Sequence, residues 1–301
     1  MNDHPLLTPS LVFWKFAGTA GRFGRGLAGL LLMLALTGGC QDSQAQRLLE
    51  KANEEWIRGR NHSAVELFRS VLEIAPTGDH AEEALFRLGE IYLYGLNEPT
   101  QAINYFKEVV QENPEGRFRY PAQKYIAEIV ERDFQDYDQA IIEYQNLINQ
   151  NLKPGDNPEH QFRIATLFIR KQNYDQAVVE FELLLEKYPG SPWAEQAEYK
   201  IVELLFTLNR CDEARQRYHR YLEARPQNPF KDEMDFVMAS CLEEEGHLVE
   251  AYKSFKALEG VYKLPALVRM KLEGLEARIK KGKSPGRKKK KRRFKRKRRA
   301  T

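Results

Sequence analysis

The chain has 301 residues, 42% of them hydrophobic, enough for a substantial core in one long array or two compact domains. Its three cysteines, Cys40, Cys211 and Cys241, are too few for a disulfide framework and lack the CxxC spacing of zinc or redox sites. The formal net charge of +4 hides a segregation: residues 280–299 hold 15 Lys or Arg and no acid, so the body is acidic and the tail strongly basic.

Lys15, Arg22 and Arg25 precede an apolar run from Leu27 to Leu36, which ends in Thr37-Gly38-Gly39 and then Cys40. Positive residues, a short apolar stretch and small residues, in that order, mark an export signal. About ten apolar residues at about 1.5 Å each reach only about half-way across a hydrocarbon core of about 30 Å, so cleavage is expected rather than a spanning helix. A cysteine directly after the small residues resembles the lipobox of bacterial lipoproteins, although Thr37 stands where that family carries a large aliphatic residue and Leu36 lies one place earlier. The resemblance implies a signal peptide over 1–39, a lipid on the Cys40 thiol, and a short linker over 40–44. It also implies a bacterial envelope protein facing the periplasm, and Gln41 resembles the residue of lipoproteins sent to the outer rather than the inner membrane. The alternative is an ordinary secretory signal, or an uncleaved anchor with an incidental cysteine; either still exports residues 41–301.

From there the chain repeats. Tyr137-Asp138-Gln139-Ala140 recurs as Tyr174-Asp175-Gln176-Ala177, and the same register gives alanines at 64, 102, 140, 177, 214 and 251. One helical turn after each stands an aromatic on the same face: Phe68, Phe106, Tyr144, Phe181, Tyr218 and Phe255. Twelve or thirteen residues before each alanine lies a small residue, Ala52, Gly89, Ala127, Ala165 or Ala239, with Val202 the exception. Pro76, Pro114, Pro189 and Pro226 follow the alanines by twelve residues, and Pro154 and Pro265 come two residues later. Each unit therefore reads as a helix A, a turn marked by residues such as Gly59, Asn173 or Gly246, a helix B and a proline-bearing connection.

This pattern resembles the tetratricopeptide repeat, although the family period of 34 residues is lengthened here to 37 or 38, which requires longer connections or helix ends. The fold class expected is all-α, a tetratricopeptide-type α-solenoid of about six helical hairpins over 45–265. One hairpin cannot bury its own apolar face, whereas a stack of three or more can. Leu267, Met270, Leu272 and Leu275 follow a helical pattern, so 266–281 is expected to cap the last repeat and 282–301 to be a disordered polybasic tail.

In this register Cys211 and Cys241 fall on neighbouring elements. A disulfide between them is one reading in an exported protein, but burial of both as small unbridged hydrophobes is the favoured expectation. His62, His80, His160, His219 and His247 never pair at helical ligand spacing, so surface or turn positions are expected and no metal site is signalled. No nucleophile elbow, phosphate loop or zinc-protease motif occurs, and carboxylate pairs such as Glu82-Glu83 and the run Glu243 to Glu245 read as solvated faces. No enzymatic activity and no cofactor are expected.

In tetratricopeptide proteins the first helices of successive hairpins line a concave groove. Carrying its inward positions over by register gives Leu49, Trp56, Phe86, Leu93, Tyr94, Phe162, Ile169, Tyr199, Phe206 and Phe236, an apolar and aromatic groove suited to a partner's protein or peptide segment. The alternative is that the longer period tucks these residues into the core. The Lys and Asn of the chaperone-docking carboxylate clamp fall only at Lys124 and Asn53, in separate repeats, so that mode is not expected. The tail cations Arg287, Lys288, Lys289, Lys290, Lys291, Arg292, Arg293, Lys295, Arg296, Lys297, Arg298 and Arg299 form an electrostatic arm for anionic lipid, lipopolysaccharide or wall polymer. The export signal argues against nucleic acid. Together these features resemble the BamD-like lipoproteins of outer-membrane protein assembly and the CpoB-like periplasmic coordinators. That resemblance implies a tethered periplasmic scaffold, the alternative being a binder of anionic surfaces with the repeats as spacer.

Overall fold

The computed structural model describes residues 24–283, with side-chain surroundings for 41–282. The tail cations from Arg287 to Arg299 and the first 23 residues lie outside the described residues, as does the side chain of Cys40. All regular structure among the described residues is helical, and the chain divides into two compact units, residues up to Phe118 and residues from Arg119.

In the first unit α1 (Gly24–Ile57) packs on α2 (Asn61–Ile74), and α3 (Asp79–Glu90) on α4 (Pro99–Glu112). The expected linker at 40–44 does not interrupt α1: Cys40-Gln-Asp-Ser-Gln44 contains no helix breaker, and Ala45 and Leu49 beyond it are buried. The second unit has four hairpins and a last helix. These are α5 (Arg119–Ile129) with α6 (Tyr137–Gln150), α7 (Asn157–Arg170) with α8 (Tyr174–Lys187), α9 (Ala194–Thr207) with α10 (Cys211–Ala224), α11 (Lys231–Glu244) with α12 (Leu248–Ala257), and α13 (Pro265–Lys283). No helix among the described residues is long and apolar enough to cross a membrane.

The repeat register explains the packing. Ala64, Ala102, Ala140, Ala177, Ala214 and Ala251 are all fully buried, as are Phe68, Phe106, Phe181 and Phe255, with Tyr144 nearly so. Tyr218 is the departure: it is half-buried and donates its hydroxyl to Asp235 instead. The small residues opposite them, Ala52, Ala127, Ala165 and Ala239, are buried where helix A meets helix B, and Val202 fits the same place.

Each A–B turn closes on one left-handed residue, Gly59, Asn97, Gln135, Gln172, Asn209 or Gly246, at the same register position in all six hairpins. In four of them the following N–H reaches back five residues, as from Asn173 to the Phe168 carbonyl (2.9 Å) and from Arg210 to Leu205 (2.8 Å), the Schellman closure of a helix. In the second and third hairpins helix A ends in a π-helical turn, Ile91–Gly95 and Val130–Phe134. There the closing bond spans six residues, from Glu98 to Tyr92 (2.7 Å) and from Asp136 to Val130 (3.2 Å). These are the two hairpins whose repeat is one residue longer. The π turn absorbs that residue, so the helix-B alanine still meets its partner. Asp136 and Asn173 then cap helix B by accepting the Gln139 and Gln176 N–H groups.

The cap helix differs in detail from expectation. Val268, Leu272 and Leu275 form its buried stripe, whereas Met270 faces away and is exposed. Lys271 and Arg278 of α13 both bond to Glu243 of α11 (2.7 and 2.5 Å), so this acid of the Glu243 to Glu245 run is a half-buried link rather than a purely solvated face. Glu82 is likewise buried. Its carboxylate accepts from Asn113 Nδ2 (2.8 Å) and the Phe118 N–H (2.7 Å), tying down the connection 113–118. Cys211 and Cys241 are joined by a disulfide with Cα atoms 5.7 Å apart, in place of the favoured unbridged pair, and only Cys241 is fully buried.

Candidate functional site on the first-helix face

The ten residues carried over as an apolar groove do not form an open one. Leu49, Phe86, Leu93 and Phe162 are buried, Trp56, Ile169, Tyr199, Phe206 and Phe236 are half-buried, and only Tyr94 is largely exposed. The aromatic rings close the stack. Phe86 lies against Phe118 (centroids 4.5 Å) and Phe106, and Phe162 against Trp193 (4.8 Å) and Phe181. Tyr199 stacks on Phe230 (5.4 Å), and Phe236 on Tyr262 (4.7 Å). Each ring thus leaves helix A and covers the connection that follows its own hairpin. The connections that lengthen the period supply the covering rings, and burying them removes apolar surface from water. Trp56 is faced by the Arg87 guanidinium at 5.5 Å.

What that face offers instead is charge. In the second unit, where α5, its π turn, α6 and α7 meet, a cavity of about 410 Å³ is lined by Glu128, Glu131, Arg132, Gln135, Tyr137, Arg163 and Arg170. Glu131 is its buried centre: Tyr144 donates to one carboxylate oxygen (2.8 Å), while Arg163 (3.7 Å) and Arg170 (3.4 Å) approach the other. Arg163 also approaches Glu159 (3.7 Å), which faces Lys124 at 3.6 Å. These separations are longer than charge-assisted hydrogen bonds, so the two guanidiniums are oriented but keep donors for an incoming group. Burial raises the Glu128 carboxyl above its ordinary range against the opposing charge of Lys124 and Arg163. Three arginines face two glutamates in the lining, so its charge is positive on balance.

Tyr144, which donates to Glu131, also lies against His160 (ring centroids 5.7 Å), a member of a partly buried polar cluster. Tyr120 donates to Asp156 (2.6 Å) and sits 3.0 Å from His160 Nε2. With the Tyr120 hydroxyl donating to Asp156, Nε2 of His160 is the donor to the Tyr120 oxygen and Nδ1 the bare acceptor, for which the protein provides no partner. His160 is fully buried rather than at a surface or turn, and burial, aided by Lys124, pushes its pKa down to about 4. The Asp156 carboxyl is lowered: burial opposes this, but hydrogen bonds from Tyr120 and Lys153 outweigh it. The α7 segment sets this arrangement. Pro158 starts the helix, His160 and Gln161 turn inward, and Arg163 and Arg170, two turns apart, reach the cavity on one side. Sequence reasoning did not single out these arginines; their seven-residue spacing on one helix was the available signal. Among the described residues no group of three or more His, Cys, Asp or Glu could hold a metal.

The sequence model of a family described as outer membrane lipoprotein (YfiO) matches residues 154–268, and one of the tetratricopeptide repeat matches residues 83–116. No curated protein matches. Among solved structures, a tetratricopeptide repeat protein from Parabacteroides merdae ATCC 43184 is 18% identical, with 82% of this chain and 95% of that chain covered and a TM-score of 0.49. PilF of Pseudomonas aeruginosa is 14% identical over 79% of this chain and 99% of its own, with a TM-score of 0.45. The Naa15/Naa10 complex bound to HypK-THB aligns at 15% identity over 85% of this chain and 36% of that one, with a TM-score of 0.55. This last likeness supports the helical-repeat fold alone. The chain therefore has a tetratricopeptide-type fold, and over residues 154–268 it is similar to the BamD-like outer membrane lipoproteins.

Proposed function

We propose that this protein is a non-catalytic scaffold of the bacterial envelope, tethered by a lipid on Cys40, facing the periplasm and more suited to the outer than the inner membrane. In this reading it holds an extended or helical segment of an envelope protein against the charged first-helix face of its second unit, in the service of outer-membrane protein assembly or envelope maintenance. The observation that carries it is the convergence of Arg163 and Arg170 on buried Glu131 beside an open cavity, the two arginines lying inside the stretch that matches the outer membrane lipoproteins. Oriented guanidiniums with spare donors suit carboxylates and backbone carbonyls of a partner chain, and they give specificity and register more than bulk affinity.

The tail supports a second reading. Fifteen cations without an acid over 280–299 would bind anionic lipid, lipopolysaccharide or wall polymer in a salt-sensitive way, with the repeats as a spacer. The two separate in one experiment. Cells labelled with a palmitate analogue are fractionated, carrying the intact chain, Cys40→Ser, or Cys40→Ser ending at residue 282. Label on the intact chain in the envelope fraction, absent from Cys40→Ser, supports the tether. An unlabelled intact chain refutes it. Envelope retention of Cys40→Ser that disappears only when the tail is removed favours the second reading.

A further inference from the structure

A second hollow, of about 360 Å³, lies elsewhere in the second unit, where the end of α8, the start of α9 and the last turns of α10 meet. Leu185, Pro189 and Ala194 give it apolar walls, and the α10 side brings three guanidiniums, those of Arg217, Arg220 and Arg225. Arg217 bonds through Nε to Glu198 (2.7 Å) and through Nη1 to Glu182 (2.9 Å), and Arg225 bonds through Nη1 to Glu195 (2.8 Å). Of these three carboxylates only Glu198 lines the hollow. Arg220 is exposed and has no ion pair among the described residues. The lining therefore carries more positive than negative charge, with unused N–H donors on all three arginines.

Tyr221, from the same helix, is 8% exposed; the Arg225 guanidinium is within reach of its oxygen, but its own O–H finds no acceptor. A buried hydroxyl proton without an acceptor is uncommon in a folded chain and calls for an account. Burial raises its pKa and the Arg225 guanidinium opposes this only in part, so the hydroxyl remains a donor. Donors from three guanidiniums and a phenol exceed what the two oxygens of a planar carboxylate accept and suit a tetrahedral phosphate. The apolar wall suits a short hydrocarbon attached to that phosphate.

We propose that the hollow between Leu185, Pro189, Arg217, Arg220, Tyr221 and Arg225 is a binding site for a phosphate group, with Arg220 as its principal anchor and Tyr221 donating its hydroxyl. The site is independent of the first-helix face. Phosphate could reach it free or as the headgroup of a lipid, and the apolar wall favours the second.

The test is calorimetric titration of the full chain with hexyl phosphate, inorganic phosphate and hexanoate at fixed ionic strength, repeated on Arg220→Ala and on Tyr221→Phe, whose folding is checked by thermal melting. Saturable binding of hexyl phosphate is expected, weakened roughly tenfold in Arg220→Ala and several-fold in Tyr221→Phe. Hexyl phosphate binding more tightly than inorganic phosphate assigns a headgroup, and equal affinities assign free phosphate. The proposal is overturned if no saturable binding occurs or if hexanoate binds as well as hexyl phosphate. Binding unchanged in both variants, as the polybasic tail would give, overturns it equally.

Discussion

Phe106 stands so close over Gly89 that a Cβ on residue 89 would meet its Cε1 at 2.5 Å. Glycine is required there for space, since the position is in the ordinary helical region and a left-handed φ is not at issue. Phe106 is fully buried and cannot swing aside. Gly89→Ala is therefore expected to destabilise the first unit by about 1–3 kcal/mol through overpacking, despite the better helix propensity of alanine. Urea unfolding of the two proteins checks this; a more stable alanine variant would show that the helices can move apart.

Gln172 takes φ 58 in its A–B turn, where Gly59 and Gly246 serve at the same register position. A left-handed conformation costs a residue with a Cβ about 1–2 kcal/mol, and glycine loses part of that advantage to its greater freedom when unfolded. Gln172→Gly is expected to gain about 0.5–1 kcal/mol in the same assay.

His160 gives the second unit a pH dependence. Its folded pKa of about 4 lies below its unfolded value near 6.5, so the unfolded chain binds the proton more readily. Stability is full above about pH 6.5 and falls as the pH drops toward 4, by roughly 3 kcal/mol in total. Urea midpoints between pH 7 and pH 4 measure this, and His160→Gln should flatten that part of the profile.

The disulfide between Cys211 and Cys241 links α10 to α11 and closes a segment of 30 residues. Loop-closure entropy assigns such a cross-link about 3–4 kcal/mol. Adding reductant is expected to lower the unfolding midpoint of the second unit and leave the first unit unchanged. Equal midpoints with and without reductant would mean that the bond does not form in solution.

The fold was legible because spacing is a geometric property. An alanine every 37 or 38 residues with an aromatic one turn later determines which helix face is buried, and Ala64 through Ala251 are all fully buried. The extra residue in two of the repeats could be counted in the sequence, but not its resolution into a π turn, which depends on the closing bonds of Glu98 and Asp136. The site was less legible. Phe86 and Phe162 occupy positions that face a groove in tetratricopeptide proteins, yet Phe118 and Trp193 in the connections cover them. Making either ring polar would unfold a hairpin, at about 3–5 kcal/mol for such truncations, and so could not report on binding. In the sequence His160 reads as a surface or turn residue, because one imidazole carries no sign of burial. Only Tyr120, 40 residues earlier, shows why it lies inside.

A partner segment held on the charged first-helix face of the second unit, as proposed, would pass Thr166, which shares the side of α7 with Arg163 and Arg170. A photo-crosslinking residue is placed there, or at Val179, exposed on α8, in living cells. Adducts with an envelope protein are expected from position 166, vanishing when Arg163→Glu and Arg170→Glu are combined, and none from 179. Adducts that survive the charge reversal, or that form only at 179, would contradict that placement.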